Sequence, residues 1–126
     1  MSCNVVSLSV PAQSRFARCV RMTAANLAVV INMDVDDVED LRMAAEEGFV
    51  YACATGASLC EITFTLAPQS VSIDFSLGDV HHADDDALQY ADLLLSAICD
   101  EYAIDEDHKQ LHLMKCSSCV GGANAN

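Results

Sequence analysis

The feature that most constrains the fold is the order in which strand-like and helix-like hydrophobic patterns follow one another along the chain. A short run rich in β-branched residues at 3–10 is followed by two long segments with helical periodicity, at 12–31 and 34–54. Asp34 suits the N-cap of the second segment, and Gly56 suits a helix end. These signals predict one strand and two successive helices in the first half of the chain.

The second half predicts a hairpin, a third helix and a final pair of strands. The runs 59–66 and 70–76 have strand composition, and the short APQ segment between them suits a hairpin. After a polar loop, Asp86 and Gln89 resemble a capping box that opens a helix. Further strand pieces are expected at 102–105 and 109–115. The predicted fold class is α+β, a two-layer sandwich with a mostly antiparallel sheet and about three helices on one face.

Helical periodicity also predicts the buried face of each helix. The residues that recur at spacings of three and four in the first helix are Phe16, Val20, Thr23, Leu27 and Val30. Those of the second are Val38, Leu41, Ala45, Phe49 and Ala52, and those of the third are Leu88, Ala91, Leu94 or Leu95, Ile98 and Tyr102. On the second helix, Asp36, Asp40, Glu47 and Tyr51 lie nearly opposite the apolar stripe. The simplest interpretation of that opposite face is an acidic surface in solvent.

Size and charge limit the classes of function. With 126 residues, 52% of them hydrophobic, the chain can fill the core of one domain, expected at 1–115 with a flexible C-terminal tail at 116–126. The net charge of −13 argues against nucleic acid and anionic membranes as partners, because both are negatively charged. The sequence has neither a run of about 18 apolar residues nor a signal pattern. We therefore expect a cytoplasmic protein.

The seven cysteines are expected to be mostly free thiols, since most lie within apolar periodic segments. Cys116 and Cys119 form a lone C-x-x-C pair, which leaves open a thiol- or metal-binding module. A zinc site needs four ligands, however, and the sequence has no second cysteine pair at a suitable spacing. The four histidines that could be recruited are His81, His82, His108 and His112. We expect no metal site.

Three of the six basic residues, Arg15, Arg18 and Arg21, recur every three positions on the first predicted helix. On a helical wheel they lie opposite its apolar stripe. One interpretation is solubility, or pairing with acidic neighbours. The other is a docking surface for an acidic protein partner, because clustered arginines on an acidic protein favour charge complementarity.

Several stretches, in the right order, resemble the anti-sigma factor serine-protein kinases, which belong to the GHKL (Bergerat-fold) ATPases together with histidine kinases. LSVPAQ leads into a first helix containing FAR, and DVEDLRMAAEEGFVYA resembles the family's second-helix block. CDEYAI resembles the end of the last helix and its exit into a strand. The resemblance covers about 7–115 and implies the GHKL type of α/β sandwich, with Arg18 of FAR on the partner-binding surface.

The resemblance also implies which residues stand at the ATP site. Glu47 falls on the general base for phosphoryl transfer. Tyr51 falls on the asparagine that binds magnesium, and a phenol is a poor substitute for an amide oxygen. Ser76 and Gly78 fall on the Asp-x-Gly motif that contacts adenine, of which only the glycine remains. The second glycine motif should precede the third helix, where the sequence has no glycine and the shortened loop is acidic.

The residues themselves support loss of the nucleotide site. Phosphates are bound by closely approaching backbone N–H groups, usually from glycines, or by Lys and Arg. None of the five glycines stands in a G-x-G or G-K setting. We expect no cofactor, and we expect Glu47 to be a vestige or a structural or partner-facing carboxylate.

The function expected from these observations is an anti-sigma-factor-like regulatory protein without kinase activity. It would bind a sigma factor or an anti-anti-sigma antagonist, and by resemblance it would form a homodimer. The first alternative is an active serine/threonine kinase that uses ATP and Mg²⁺ with Glu47 as the base. The second alternative is the thiol or metal module of Cys116 and Cys119.

Overall fold

The computed structural model describes residues 4–118. In chain order, the strands are β1 (Asn4–Pro11), β2 (Leu59–Ala67), β3 (Ser70–Ser76), β4 (Glu101–Asp105) and β5 (Gln110–Cys116). The helices are α1 (Ala17–Val30), α2 (Val35–Ala54) and α3 (Asp85–Ile98), with short 3-10 turns at Ser14–Phe16 and Val80–His82. The strands form one sheet in the order β1-β2-β3-β5-β4, and every neighbouring pair is antiparallel. The predicted α+β class is confirmed.

The core lies between one face of this sheet and the helices. Residues of β2 and β3 alternate between buried and more exposed positions, as expected for a sheet covered on one face. The fully buried sheet residues include Ile62, Phe64, Val71, Ile73, Phe75, Leu111 and Leu113. Helix α2 lies at the centre of the helical layer, because it contacts the sheet and packs against both α1 and α3.

The ends of α2 agree with the sequence signals. The Asp34 carboxylate accepts a hydrogen bond from the backbone N–H of Asp37 at 2.9 Å, as an N-cap does. After the last helical residue, Gly56 adopts a φ of +83°, a conformation that glycine accepts without strain. The hairpin between β2 and β3 also lies where it was predicted.

The predicted buried stripe of α1 needs correction. Its buried residues are Ala17, Val20, Ala24 and Ala28. Val30 is 65% exposed, and Phe16, Thr23 and Leu27 are only partly buried. Small alanine side chains allow α1 to lie close to α2, so its most buried line consists of small residues. The sequence prediction favoured larger side chains and therefore placed the buried face on a neighbouring row of residues.

The start and inner face of α3 also differ from expectation. Asp84 is the N-cap, since its carboxylate accepts the backbone N–H of Ala87 at 2.8 Å. The helix thus begins before the predicted capping box, because an aspartate at any of three consecutive positions could cap it. Ala91 and Leu95 face the core, whereas Leu88 is 42% exposed and Tyr102 lies in β4.

The C-terminal boundary lies later than expected. Cys116 is the last residue of β5 rather than the first of a tail. The backbone N–H of Ser118 donates to the Asp37 carboxylate at 2.7 Å, so the packed part of the domain reaches at least this residue. Residues 119–126, the remainder of the predicted tail, lie outside the described residues. Between 4 and 118, no helix is long and apolar enough to cross a membrane.

Candidate functional site

A cavity of about 310 Å³ opens at the C-terminal end of α2. The 3-10 turn at Val80–His82, the start of α3 and the end of β4 form its walls. Its lining residues are Tyr51, Val80, His81, Ala83, Asp84, Asp85, Leu88, Ile104 and Glu106. We call this cavity the Tyr51 pocket. It brings together parts of the chain that are more than fifty residues apart in sequence.

Tyr51 is buried, which corrects the expectation that it belongs to an acidic surface in solvent. Only 2% of the residue is exposed. The reason is the central position of α2, which is covered by the sheet and by both neighbouring helices, so that little of its circumference faces water. Burial, and then the charge of Glu106, raise the pKa of the Tyr51 hydroxyl above its usual value. The side chain is therefore a neutral phenol at physiological pH.

The polar groups at the mouth of the Tyr51 pocket are predominantly acidic. Its lining includes the carboxylates of Asp84, Asp85 and Glu106 but no arginine or lysine. The Asp84 carboxylate is engaged as the cap of α3. The imidazole Nε2 of His81 lies 3.7 Å from Glu106 Oε1 in a strongly exposed pair. The pocket therefore presents negative charge and a buried phenol to whatever enters it.

Ser76 and Gly78, the other two predicted ATP-site positions, do not line this pocket. The Ser76 hydroxyl accepts a hydrogen bond from the backbone N–H of Glu61 at 2.8 Å. The backbone N–H of Gly78 donates to the Thr55 hydroxyl at 2.7 Å. A Cβ at position 78 would lie 2.5 Å from the Thr55 carbonyl oxygen and 2.8 Å from the Ala57 nitrogen. The close approach of the backbone at 55–57 therefore explains why position 78 is a glycine, and no nucleotide contact is needed to explain it.

Glu47 lines a separate cleft of about 310 Å³ between α2 and α3. The cleft residues are Met43, Glu46, Glu47, Val50, Tyr90 and Leu94. Burial, and then the neighbouring charge of Glu46, raise the pKa of Glu47 to about 6. A carboxylate with such a pKa can exchange protons near neutral pH, but the structure does not bring it into the Tyr51 pocket.

The three predicted partner-binding arginines have different surroundings. Arg15 lies in the 3-10 turn rather than in α1, where its guanidinium stacks 4.8 Å from the Phe16 ring centroid. Arg21 forms an ion pair with Glu46 of α2 at 3.0 Å. Arg18 is exposed and makes no ion pair with a residue of the described segment. The predicted row of three is therefore reduced to two arginines available to a partner.

The described cysteine and histidine side chains do not come together in a common metal site. Cys116 is exposed at the end of β5, whereas Cys119 lies outside the described residues. Within 4–118, no group of three or more His, Cys, Asp or Glu residues could hold a metal ion. His112 instead contacts Asp74 through Nδ1 at 2.8 Å and Glu101 through Nε2 at 3.3 Å, on neighbouring strands.

Sequence reasoning missed most of the Tyr51 pocket. Ile104 falls within the predicted strand 102–105, and Glu106 falls between this strand and the next, and neither has a predicted site role. The signal that could have connected them is the topology, because the turn after β4 and the start of α3 meet beside the end of α2. That meeting depends on tertiary packing, which local periodicity does not encode.

Among solved structures, the chain is similar to the crystal structure of the RsbU and RsbW domains of Rv1364c from Mycobacterium tuberculosis. The TM-score is 0.63 at 14% sequence identity. The match covers 90% of this chain and 32% of that chain, so this protein spans about a third of the length of the solved one. At this identity the match shows a shared α+β fold and no more. No protein-family model and no curated protein matches the sequence.

Proposed function

We propose that this protein is an anti-sigma-type regulatory module that binds a protein partner without using ATP. The partner proposed from the resemblance is a sigma factor or an anti-anti-sigma antagonist. The observation that carries the proposal is the buried side chain of Tyr51 at the position that resembles the magnesium-binding asparagine. A phenol there fills space and supplies no amide oxygen for a hard cation.

The surroundings of Tyr51 support the absence of nucleotide binding. A triphosphate carries several negative charges and needs cationic groups or converging backbone N–H donors. The lining of the Tyr51 pocket offers three carboxylates and one exposed histidine. The N-terminus of α3 would be the natural phosphate donor, but Asp84 caps it and Asp85 and Asp86 occupy its first turn.

A second candidate function is an active serine kinase with Glu47 as the general base. The observation that favours it is the raised pKa of Glu47, about 6, because a base works best when its pKa lies near the operating pH. Burial and the adjacent Glu46 account for this pKa without catalysis. The kinase also needs a bound nucleotide, so one measurement separates the two candidates.

Isothermal titration of the protein with Mg-ATP provides that measurement. We expect no saturable heat at nucleotide concentrations up to about 1 mM, a limit that corresponds to roughly −4 kcal/mol of binding free energy. Saturable binding below that concentration would contradict the proposal. If it occurred, loss of phosphate transfer in Glu47→Gln with binding unchanged would establish the kinase reading.

The partner surface is proposed to include Arg15 and Arg18. Reversing the charge in Arg18→Glu should weaken capture of a sigma factor or anti-anti-sigma protein, because a guanidinium that grips a carboxylate becomes a repelling group. Arg42→Glu is the matched control, since it makes the same charge change at an arginine paired with Glu39 on α2. Equal capture by both variants would show that α1 is not part of the interface.

A homodimer is also proposed from the resemblance, and sedimentation velocity measures the mass of the particle in solution.

A further inference from the structure

The Tyr51 pocket combines an acidic mouth with a buried hydroxyl that makes no hydrogen bond within residues 4–118. Its carboxylates belong to Asp84, Asp85 and Glu106, and Asp85 makes neither a hydrogen bond nor an ion pair with a residue of 4–118. A cluster of acidic side chains alone is common on so acidic a protein. The phenol of Tyr51 beneath it provides the second observation.

The Tyr51 hydroxyl makes no hydrogen bond with any residue of the described chain, although the residue is 98% buried. Among the described residues, Nε of Arg21 is the one fully enclosed side-chain nitrogen or oxygen without a partner. The Tyr51 hydroxyl therefore reaches the open space of the pocket. The hydroxyl is therefore available to hydrogen-bond a ligand group that replaces water in the pocket.

The rest of the lining indicates what kind of group fits. Val80, Leu88 and Ile104 add aliphatic surface to the same lining. Aliphatic surface beside carboxylates suits a long cationic side chain, whose methylene stem packs on the former while its charged end meets the acids. A bare metal ion fits poorly, because no described group of three ligands converges and the cavity of about 310 Å³ is far larger than an ion.

We propose that the Tyr51 pocket receives an arginine side chain presented by a protein partner. The guanidinium would donate to Asp85 and Glu106, and the Tyr51 hydroxyl would accept a further N–H. Leu88, exposed at the mouth, would contact apolar atoms of the same partner segment. This inference rests on the proposed function, because it requires a pocket free of nucleotide.

The first test is an NMR titration with N-acetyl-arginine amide and with the neutral isostere N-acetyl-citrulline amide. The arginine compound should shift the amide signals of 80–85 and 104–106 and the ring signals of Tyr51, with weaker shifts at higher salt. The citrulline compound should leave them in place. Equal shifts with both compounds, or none with the arginine compound, would overturn the inference.

Paired variants locate the binding. Asp85 and Asp36 are both exposed aspartates in the first turn of a helix, but only Asp85 lines the pocket. Asp85→Asn should weaken binding of N-acetyl-arginine amide about three- to fivefold, and Asp36→Asn should leave it unchanged. Equal effects of the two variants would indicate non-specific attraction and overturn the inference.

A parallel titration with Mg-ATP separates this inference from the proposed function. If neither arginine amide nor Mg-ATP shifts the pocket signals, the arginine inference fails and the proposed function stands. If Mg-ATP shifts them at sub-millimolar concentration, both fail. If only the arginine compound does so, both are supported.

Discussion

The two ends of α2 use acidic side chains in opposite ways. At the N-terminal end, Asp37 is 4% exposed and accepts hydrogen bonds from both the backbone N–H and the hydroxyl of Ser118, each at 2.7 Å. At the C-terminal end, Asp85 and Tyr51 both line the Tyr51 pocket, and neither side chain makes a hydrogen bond with a residue of 4–118. Asp37 therefore fastens residue 118 to α2, whereas the Asp85 carboxylate is available to a ligand.

The largest effect should come from removing the buried acid. Asp37→Ala should lower the free energy of unfolding by about 2–3 kcal/mol, because the buried carboxylate accepts two hydrogen bonds from Ser118, whose hydroxyl also contacts Asp34 but whose N–H loses its acceptor. Urea denaturation measures this difference. Asp85→Ala is the control and should change stability by less than about 0.5 kcal/mol. Similar losses in both variants would show that the acids at the two ends of α2 do not differ in their structural role.

Substitution of Gly78 tests whether residues near the C-terminal end of α2 also stabilise the fold. Gly78→Ala should cost about 2 kcal/mol, because the new Cβ would meet backbone atoms of Thr55 and Ala57, which cannot move aside like a flexible side chain. Ser76→Ala should cost about 1 kcal/mol through loss of one hydrogen bond. Thermal unfolding of the two variants gives the order. A Gly78→Ala variant as stable as the parent would show that the fold does not require glycine at this position.

The smallest effect should come from Glu47, in the cleft between α2 and α3. Its pKa rises from 4.5 to about 6 on folding, so its contribution to stability is fully present below pH 4.5 and is lost as pH rises through 6. Glu47→Gln should therefore be more stable than the parent above pH 6, by roughly 1 kcal/mol after allowance for solvent screening.

Unfolding measured across this pH range checks the sign of the Glu47 effect. The advantage of the glutamine variant should shrink toward zero between pH 6 and 4.5, because the parent carboxylate becomes protonated there. An advantage independent of pH would show that side-chain packing, rather than the buried charge, causes it. A destabilised variant at neutral pH would show that the ionised carboxylate is needed for the fold.

Much of the fold could be predicted from local signals, but the site could not. Asp34 caps α2, the hairpin joins β2 to β3, and the strands are antiparallel, because turn chemistry and periodicity act over a few residues. Tyr51 was misplaced since a helical wheel shows which residues share a face but not how many neighbours cover that face. The contact of the turn at Glu106 with α3 arises only when the sheet and helices have packed.

The proposed function depends on one expectation, that the space over Tyr51 in this α+β domain takes no nucleotide. The most direct measurement is a crystal structure of the protein grown with magnesium and a non-hydrolysable ATP analogue at millimolar concentration. We predict that the Tyr51 pocket contains only solvent, with the side chain of Tyr51 in place. An ordered nucleotide there, with a cation coordinated between its phosphates and α2, would contradict the account.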